Sequence, residues 1–417
     1  MEHTAVLPAP ALVTERAVPS GAVGSLQRVA AQIGAWDLHE RGITGSGVVV
    51  AVLDTGIAPV AGLGAEGKVV ALVDLTPEAT MPSLRYRDGF GHGTHMAGIV
   101  AGQATGAAPV GDEAAGGFAG IAPGAGLVSV KVGDRHGSVD VSQVIEGIDW
   151  VVAHRDALGI RVLSLSYGTD SDQPYGIDPL AAAVERAWRA GIVVVVAAGN
   201  AGPDAGRLDN PATDPFVIAV GGAERGPDSW APLADTSSGD GLRDPDVAAP
   251  GRSIVSLRAP GSHADRNHPE GYIDEHRFKG TGSSQAAAVV AGAVALLLQA
   301  RPSLSPDEVK ALIRSTARPL GHERQLGRGL IDMAAAAVAP IPSDSAQPWV
   351  PSDGSGSLEA SRGSRHVIID GHVLVGEVTW TGASWMSGWN GSGWNGSGWN
   401  GSGWNGSGWN GSGWNGS

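Results

Sequence analysis

Between Gly47 and Ala198, apolar runs alternate with segments of helical periodicity. Gly47–Leu53 (GVVVAVL), Gly126–Val132, Arg161–Leu165 and Ile192–Ala198 (IVVVVAA) are mostly continuous apolar stretches with no polar alternation. A strand covered on both faces reads this way, because neither row of side chains meets water. Between the runs, Val141, Val144, Ile145, Ile148 and Val152 recur at helical spacing, and Leu180–Ala190 reads as a second helix closed by Gly191. Strand–helix alternation predicts an α/β fold with a doubly wound, mostly parallel sheet flanked by helices. Ligands of such sheets bind beyond the carboxyl ends of the strands. Asp54, Ser166 and Asn200 stand at those ends.

Three short segments then carry chemistry. Asp54 follows the first run in VVVAVLDTGI, His92 lies in GHGTHMAGIVAG, and Ser284 lies in GTGSSQAAAVVAGAVALLL. An alkyl hydroxyl is a poor nucleophile at neutral pH. It needs a base within reach, and the base needs a partner that fixes its tautomer. Ser284, His92 and Asp54 supply those parts, and the order Asp…His…Ser separates one serine-hydrolase scaffold from two others. Each residue taken singly has a plainer reading as a turn, a glycine-flanked loop or a helix N-cap; the ordered set of three carries the weight. Gly91 and Gly93 beside His92 read as leaving room for a substrate backbone, and a helix is expected over His95–Ala101. Ser284 precedes a small-residue helix whose dipole favours developing negative charge. Asn200 reads either as a hydrogen-bond donor to that charge or as the turn residue of an Asn-Ala-Gly loop.

Net charge is −14 over 417 residues, which excludes a nucleic-acid partner as the ordinary expectation. The absence of cysteine excludes disulfides, thiolate catalysis and Cys-ligated zinc. No run reaches the ~18 apolar residues of a membrane span; the longest, Ala286–Ala300, reads as a buried helix. The N-terminal residues MEHTAVLPAPALVTERAVPSG show no basic n-region followed by an apolar h-region, so the sequence as written reads as cytoplasmic, with export as the alternative.

The stretch from about Gln32 to Ala339 resembles the subtilisin-like serine peptidases, the subtilases. VAVLDTGI, GHGTHMAGIVAG, VVVAAGN, DVAAPG and GTGSSQAAAVVAG match that family's signatures, and GRGLIDMAAA matches the end of its catalytic domain. The resemblance implies a serine endopeptidase acting through an acyl-enzyme on Ser284. Asp54, His92 and Ser284 would form the triad, with Asn200 and the Ser284 N–H as the oxyanion hole. It also implies a substrate cleft: Ser166, Tyr167 and Gly168 as one wall of the pocket for the residue before the scissile bond, Ala197, Ala198 and Gly199 as its floor, and Gly137 and Ser138 as the edge pairing with extended substrate. The substrates implied are proteins or peptides. No cofactor is required for the chemistry. Structural calcium is common in the family, and Asp112–Glu113, Asp170–Asp172 and Asp204–Asp214 are acidic, but no ligand set is assignable.

The chain departs from the family pattern where Gly282-Ser283-Ser284-Gln285-Ala286-Ala287-Ala288 replaces Gly-Thr-Ser-x-Ala-x-Pro. Counting back from Val290-Ala291-Gly292 places the nucleophile at Ser284 rather than Ser283. His95 and His136 read as structural or surface residues. The expected organisation is a short N-terminal extension over 1–28, a catalytic domain over 29–339, a linker over 340–364, a hairpin segment over 365–388 around Asp370–Gly371, and a WNGSG repeat over 389–417. Trp at period five fits neither helix nor strand, and the tail is expected to bind a surface, a polysaccharide or a partner protein.

Overall fold

The computed structural model describes residues 24–103, 118–369 and 371–385. Its centre is an eight-stranded sheet. The strands are β1 (Val49–Asp54), β2 (Val69–Asp74), β3 (Gly126–Lys131), β4 (Ile160–Leu165), β5 (Val193–Ala197), β6 (Ile218–Arg225), β7 (Trp230–Pro232) and β8 (Val247–Pro250). Their order is β2-β3-β1-β4-β5-β6-β7, with β8 also paired to β6, and every pair is parallel except β6 with β7. The doubly wound parallel sheet expected from the apolar runs is therefore present. β5 is buried at all five positions, which explains why VVVVA shows no alternation.

β1 pairs with β3 on one side and β4 on the other. The strand order reverses there, and such a switch point opens a crevice beyond the strand ends. Two helices converge on it. One runs from His92 to Ala101, the other from Ser283 to Ala300. They approach closely at Gly292, where a Cβ would stand 3.0 Å from the Val100 carbonyl oxygen. The helix Ser283–Ala300 is long and apolar enough to span a bilayer, but 89% of it is buried within the body; it is the core helix that its small residues suggest.

Residues 340–364, expected as a linker, lie against the body. A helix over Leu358–Arg362 buries Leu358, Ser361 and Arg362. Arg362, fully buried, pairs with fully buried Asp140 at 2.7 Å. Asp140 caps the helix Val141–Leu158. Thr169 Oγ1 donates to the Ser361 carbonyl at 2.7 Å, and Trp380 donates through Nε1 to Glu146 at 2.8 Å. The segment forms a strap along one flank of the sheet. Just beyond residue 364, Ile368–Ile369 and His372–Val373 pair as a short antiparallel hairpin. The N-terminal residues 1–23, the acidic pair Asp112–Glu113 and the repeat over 389–417 fall outside the described residues.

Candidate active site

Asp54 is the last residue of β1 and is 8% exposed. Its carboxylate accepts the Thr55 N–H at 2.8 Å and faces His92 Nδ1 at 2.8 Å through Oδ1 and 2.9 Å through Oδ2. A base held through Nδ1 presents its other nitrogen to the cleft. His92 is itself the first residue of its helix, three positions earlier than the pattern over His95–Ala101 suggests. Gly91 explains the early start: it takes a φ of 105°, a left-handed conformation that a side chain would strain.

The glycines flanking His92 leave room for the protein rather than for substrate. A Cβ on Gly93 would run into the Gly56 carbonyl and stand 3.2 Å from Asp54 Cβ. One on Gly91 would meet Ser262 Oγ at 2.5 Å. Close approach of the His92 helix to the end of β1 is what brings base and carboxylate into contact.

A second carboxylate was not singled out by sequence. Asp88, 6% exposed, accepts from Gly91 N at 2.6 Å, Thr94 N at 2.7 Å, Thr94 Oγ1 at 2.6 Å and Thr55 Oγ1 at 2.9 Å. Thr55 Oγ1 in turn accepts from Gly93 N at 2.9 Å. Asp88 thus ties the start of the His92 helix to the residue after Asp54. The signal was an Asp three residues ahead of GHGT, where a carboxylate satisfies first-turn N–H groups. Burial lowers the His92 pKa, but the charges of Asp54 and Asp88 and the Asp54 hydrogen bond raise it, and the net is upward. His95, 4% exposed, is held neutral: burial, then the nearby His92, drops its pKa to about 3.

The structure separates the adjacent serines. Ser283 is fully buried, and its Oγ accepts from the Gly199 N–H at 3.3 Å. Ser284 is partly exposed in the first helical turn. Ser166 Oγ donates to the Ser284 carbonyl at 3.4 Å. Asn200, exposed three residues beyond β5, accepts the Ser283 N–H through Oδ1 at 2.9 Å. The end of β5 and the nucleophile helix are thereby joined.

Of the expected cleft residues, Ala198 is fully buried and Ala197 is 5% exposed, so their side chains belong to the core. Tyr167 is half-buried against the core; burial, then the Asp140 charge, pushes its hydroxyl pKa upward. Gly137 has φ 80° and closes a turn in which Asp134 accepts from the Ser138 N–H at 2.9 Å. A Cβ there would stand 2.8 Å from the Phe90 ring. His136 lies exposed in the same turn. No group of three His, Asp or Glu side chains fit to hold a metal occurs among the described residues. Asp170 accepts from the Ser364 N–H at 2.8 Å, Asp172 pairs with Arg207, and Asp214 is fully buried. Of the acidic stretches considered for calcium, Asp112–Glu113 lies outside the described residues.

Comparison with known proteins agrees with this geometry. The family described as "Subtilase family" matches residues 45–329. Serine protease AprX of Bacillus subtilis (strain 168) is 39% identical over 286 residues, covering 66% of this chain and 62% of AprX. Subtilisin E of the same strain is 36% identical over 309 residues, covering 73% of this chain and 70% of subtilisin E. The crystal structure of fervidolysin from Fervidobacterium pennivorans, a keratinolytic enzyme related to subtilisin, superposes with a TM-score of 0.61 at 26% identity, over 82% of this chain and 51% of that one. The chain thus spans just over three fifths of AprX and about half of fervidolysin. With the family matched across most of the chain and the fold shared, the protein belongs to the subtilase family of serine peptidases.

Proposed function

We propose that the chain is a serine endopeptidase in which Ser284 attacks the scissile carbonyl. The observation that carries the reading is the Asp54–His92 contact at 2.8 Å at the strand switch point. His92 Nε2 takes the Ser284 proton as the Oγ–carbon bond forms. Asp54 holds the Nδ1–H and stabilises the imidazolium. The tetrahedral oxyanion is received by Asn200 Nδ2 and the Ser284 N–H, a first-turn donor with no intrahelical partner. His92 then protonates the departing amine as the carbon–nitrogen bond breaks. The ester on Ser284 is released by water, with His92 again as base. No step requires a cofactor.

Protein or peptide substrates would lie extended along Gly137–Ser138, with the side chain before the scissile bond between Ser166–Gly168 and Ala197–Gly199. The Trp-rich repeat over 389–417 is proposed as a surface- or polysaccharide-binding appendage; pull-down on insoluble glycans with and without the repeat tests it.

The test of the peptidase reading is hydrolysis of casein and fluorogenic peptides by the protein and by Ser284→Ala, with fluorophosphonate labelling of both. Label and activity on the first and neither on the second support it. No label and no hydrolysis by the unaltered protein would overturn it.

A further inference from the structure

We propose that Asp209 is a specificity-determining residue, selecting lysine or arginine immediately before the scissile bond. The proposal rests on the peptidase reading above and names the substrate class that the reading leaves open.

Asp209 is wedged between the two stretches assigned to the pocket. Its N–H donates to the Ala198 carbonyl at 3.0 Å. The next residue, Asn210, exchanges both backbone hydrogen bonds with Thr169 at 2.9 Å each. Residues 209–210 therefore close the space between 168–169 and 198–199 and form the base of the pocket.

The side chain touches both walls. A Cβ on Gly168 would stand 2.6 Å from Asp209 Cβ and 3.2 Å from its Oδ2. One on Gly199 would stand 2.7 Å from both Cγ and Oδ1. Glycine at these two positions is what admits the carboxylate between them. Yet that carboxylate makes no hydrogen bond or ion pair among the described residues, and Asp209 is only partly buried. The fully or nearly fully buried carboxylates behave differently. Asp54, Asp88, Asp140 and Asp178 each accept at least two hydrogen bonds.

A partly desolvated carboxylate at a pocket base, flanked by backbone and lacking a donor, is completed by a cationic side chain entering from the cleft. Trypsin selects Lys and Arg by the same placement of one Asp on an unrelated fold. Burial pushes the Asp209 pKa up; Arg365 and Arg207 pull it down, Asp170 pushes it up, and the net is upward. Arg207 is engaged with Asp172.

The test uses fluorogenic peptides identical except for Lys, Arg, Leu, Phe or Glu before the scissile bond. The expected result is a kcat/KM for Lys and Arg about 10- to 100-fold above Leu and Phe, the range of one charge-assisted hydrogen bond. Asp209→Asn and Asp209→Ser should collapse the Lys-to-Leu ratio toward one, and Asp209→Lys should turn the preference toward Glu. A Lys-to-Leu ratio that is unchanged in Asp209→Asn would overturn the proposal. A second readout does not depend on turnover: the melting-temperature shift of Ser284→Ala protein on adding the Lys or the Leu peptide. A larger shift with Lys, lost in Ser284→Ala/Asp209→Asn, supports the proposal; equal shifts in both backgrounds sink it. If fluorophosphonate labelling and all hydrolysis fail, the peptidase reading falls while this binding comparison still decides the role of Asp209.

Discussion

The side-chain oxygen of Asn200 accepts the backbone N–H of Ser283 at 2.9 Å. That bond turns the amide so that Nδ2 is the atom left for substrate, one residue from the serine expected to carry the acyl group. Asn200→Ala should lower kcat by about 10²–10³-fold with a small change in KM, a magnitude that is subtilisin's own, carried over to this relative. Steady-state kinetics on one fluorogenic peptide checks it. Asn200→Asp offers the same oxygen to Ser283 but no N–H to the oxyanion, and should be as impaired.

The two adjacent serines should separate in experiment. Ser284→Ala is expected to remove fluorophosphonate labelling and lower kcat by about 10⁶-fold, again subtilisin's own figure. Ser283→Ala removes a buried acceptor of the Gly199 N–H and should cost about 1 kcal/mol of stability, with labelling retained. A denaturant titration and a labelling gel read the two effects apart.

A general base must be neutral to take a proton, so kcat/KM should rise with pH as His92 loses its proton. Asp54 and Asp88 outweigh burial and raise its pKa above the usual 6.5, so the acid limb should lie above pH 6.5. Stability runs the opposite way. The contribution of protonated His92 is fully present below pH 6.5 and is lost as pH rises through the raised folded value. A kcat/KM–pH profile and melting temperatures across the same buffers check both signs.

Asp88→Asn removes a charge that raises the His92 pKa and places an amide against donors now satisfied by the carboxylate. The acid limb should move to lower pH, and stability should fall on the order of 2–3 kcal/mol. A merely structural residue would move only the second quantity.

Arg362→Ala would leave Asp140 charged and fully buried, which costs about 3–5 kcal/mol. Arg362→Met with Asp140→Asn removes both charges, and Asn still serves as an N-cap. The double variant should recover much of that loss in chemical denaturation, giving a positive coupling between the two positions.

The sheet and the Asp54–His92 pair were legible because their signals are local. A buried parallel strand is apolar over consecutive residues, and Asp54 and His92 each sit inside a short pattern. Asp88 was missed because its role appears only when four donors from Thr55, Gly91 and Thr94 converge on it. The strap was misread because its composition is that of a linker. What fixes it is a buried ion pair between residues 222 apart, and no window of sequence contains both. Asp209 likewise carries no local signal; its place against Gly168 and Gly199 comes from the register of two loops. The glycines around His92 were read as leaving room for a substrate backbone, but the space is taken by Gly56 and Ser262.

The strap also orders events in time. Every group that would form and break bonds lies before Ala300, whereas Asp140 and Thr169 are braced by Arg362 and Ser361. A ribosome adding about 5–20 residues per second needs roughly three to twelve seconds to travel from Ala300 to Arg362. For that interval a nascent chain holds every group that would react while Asp140 and Thr169 still lack the partners that brace them, so the strap's docking comes after the site it supports.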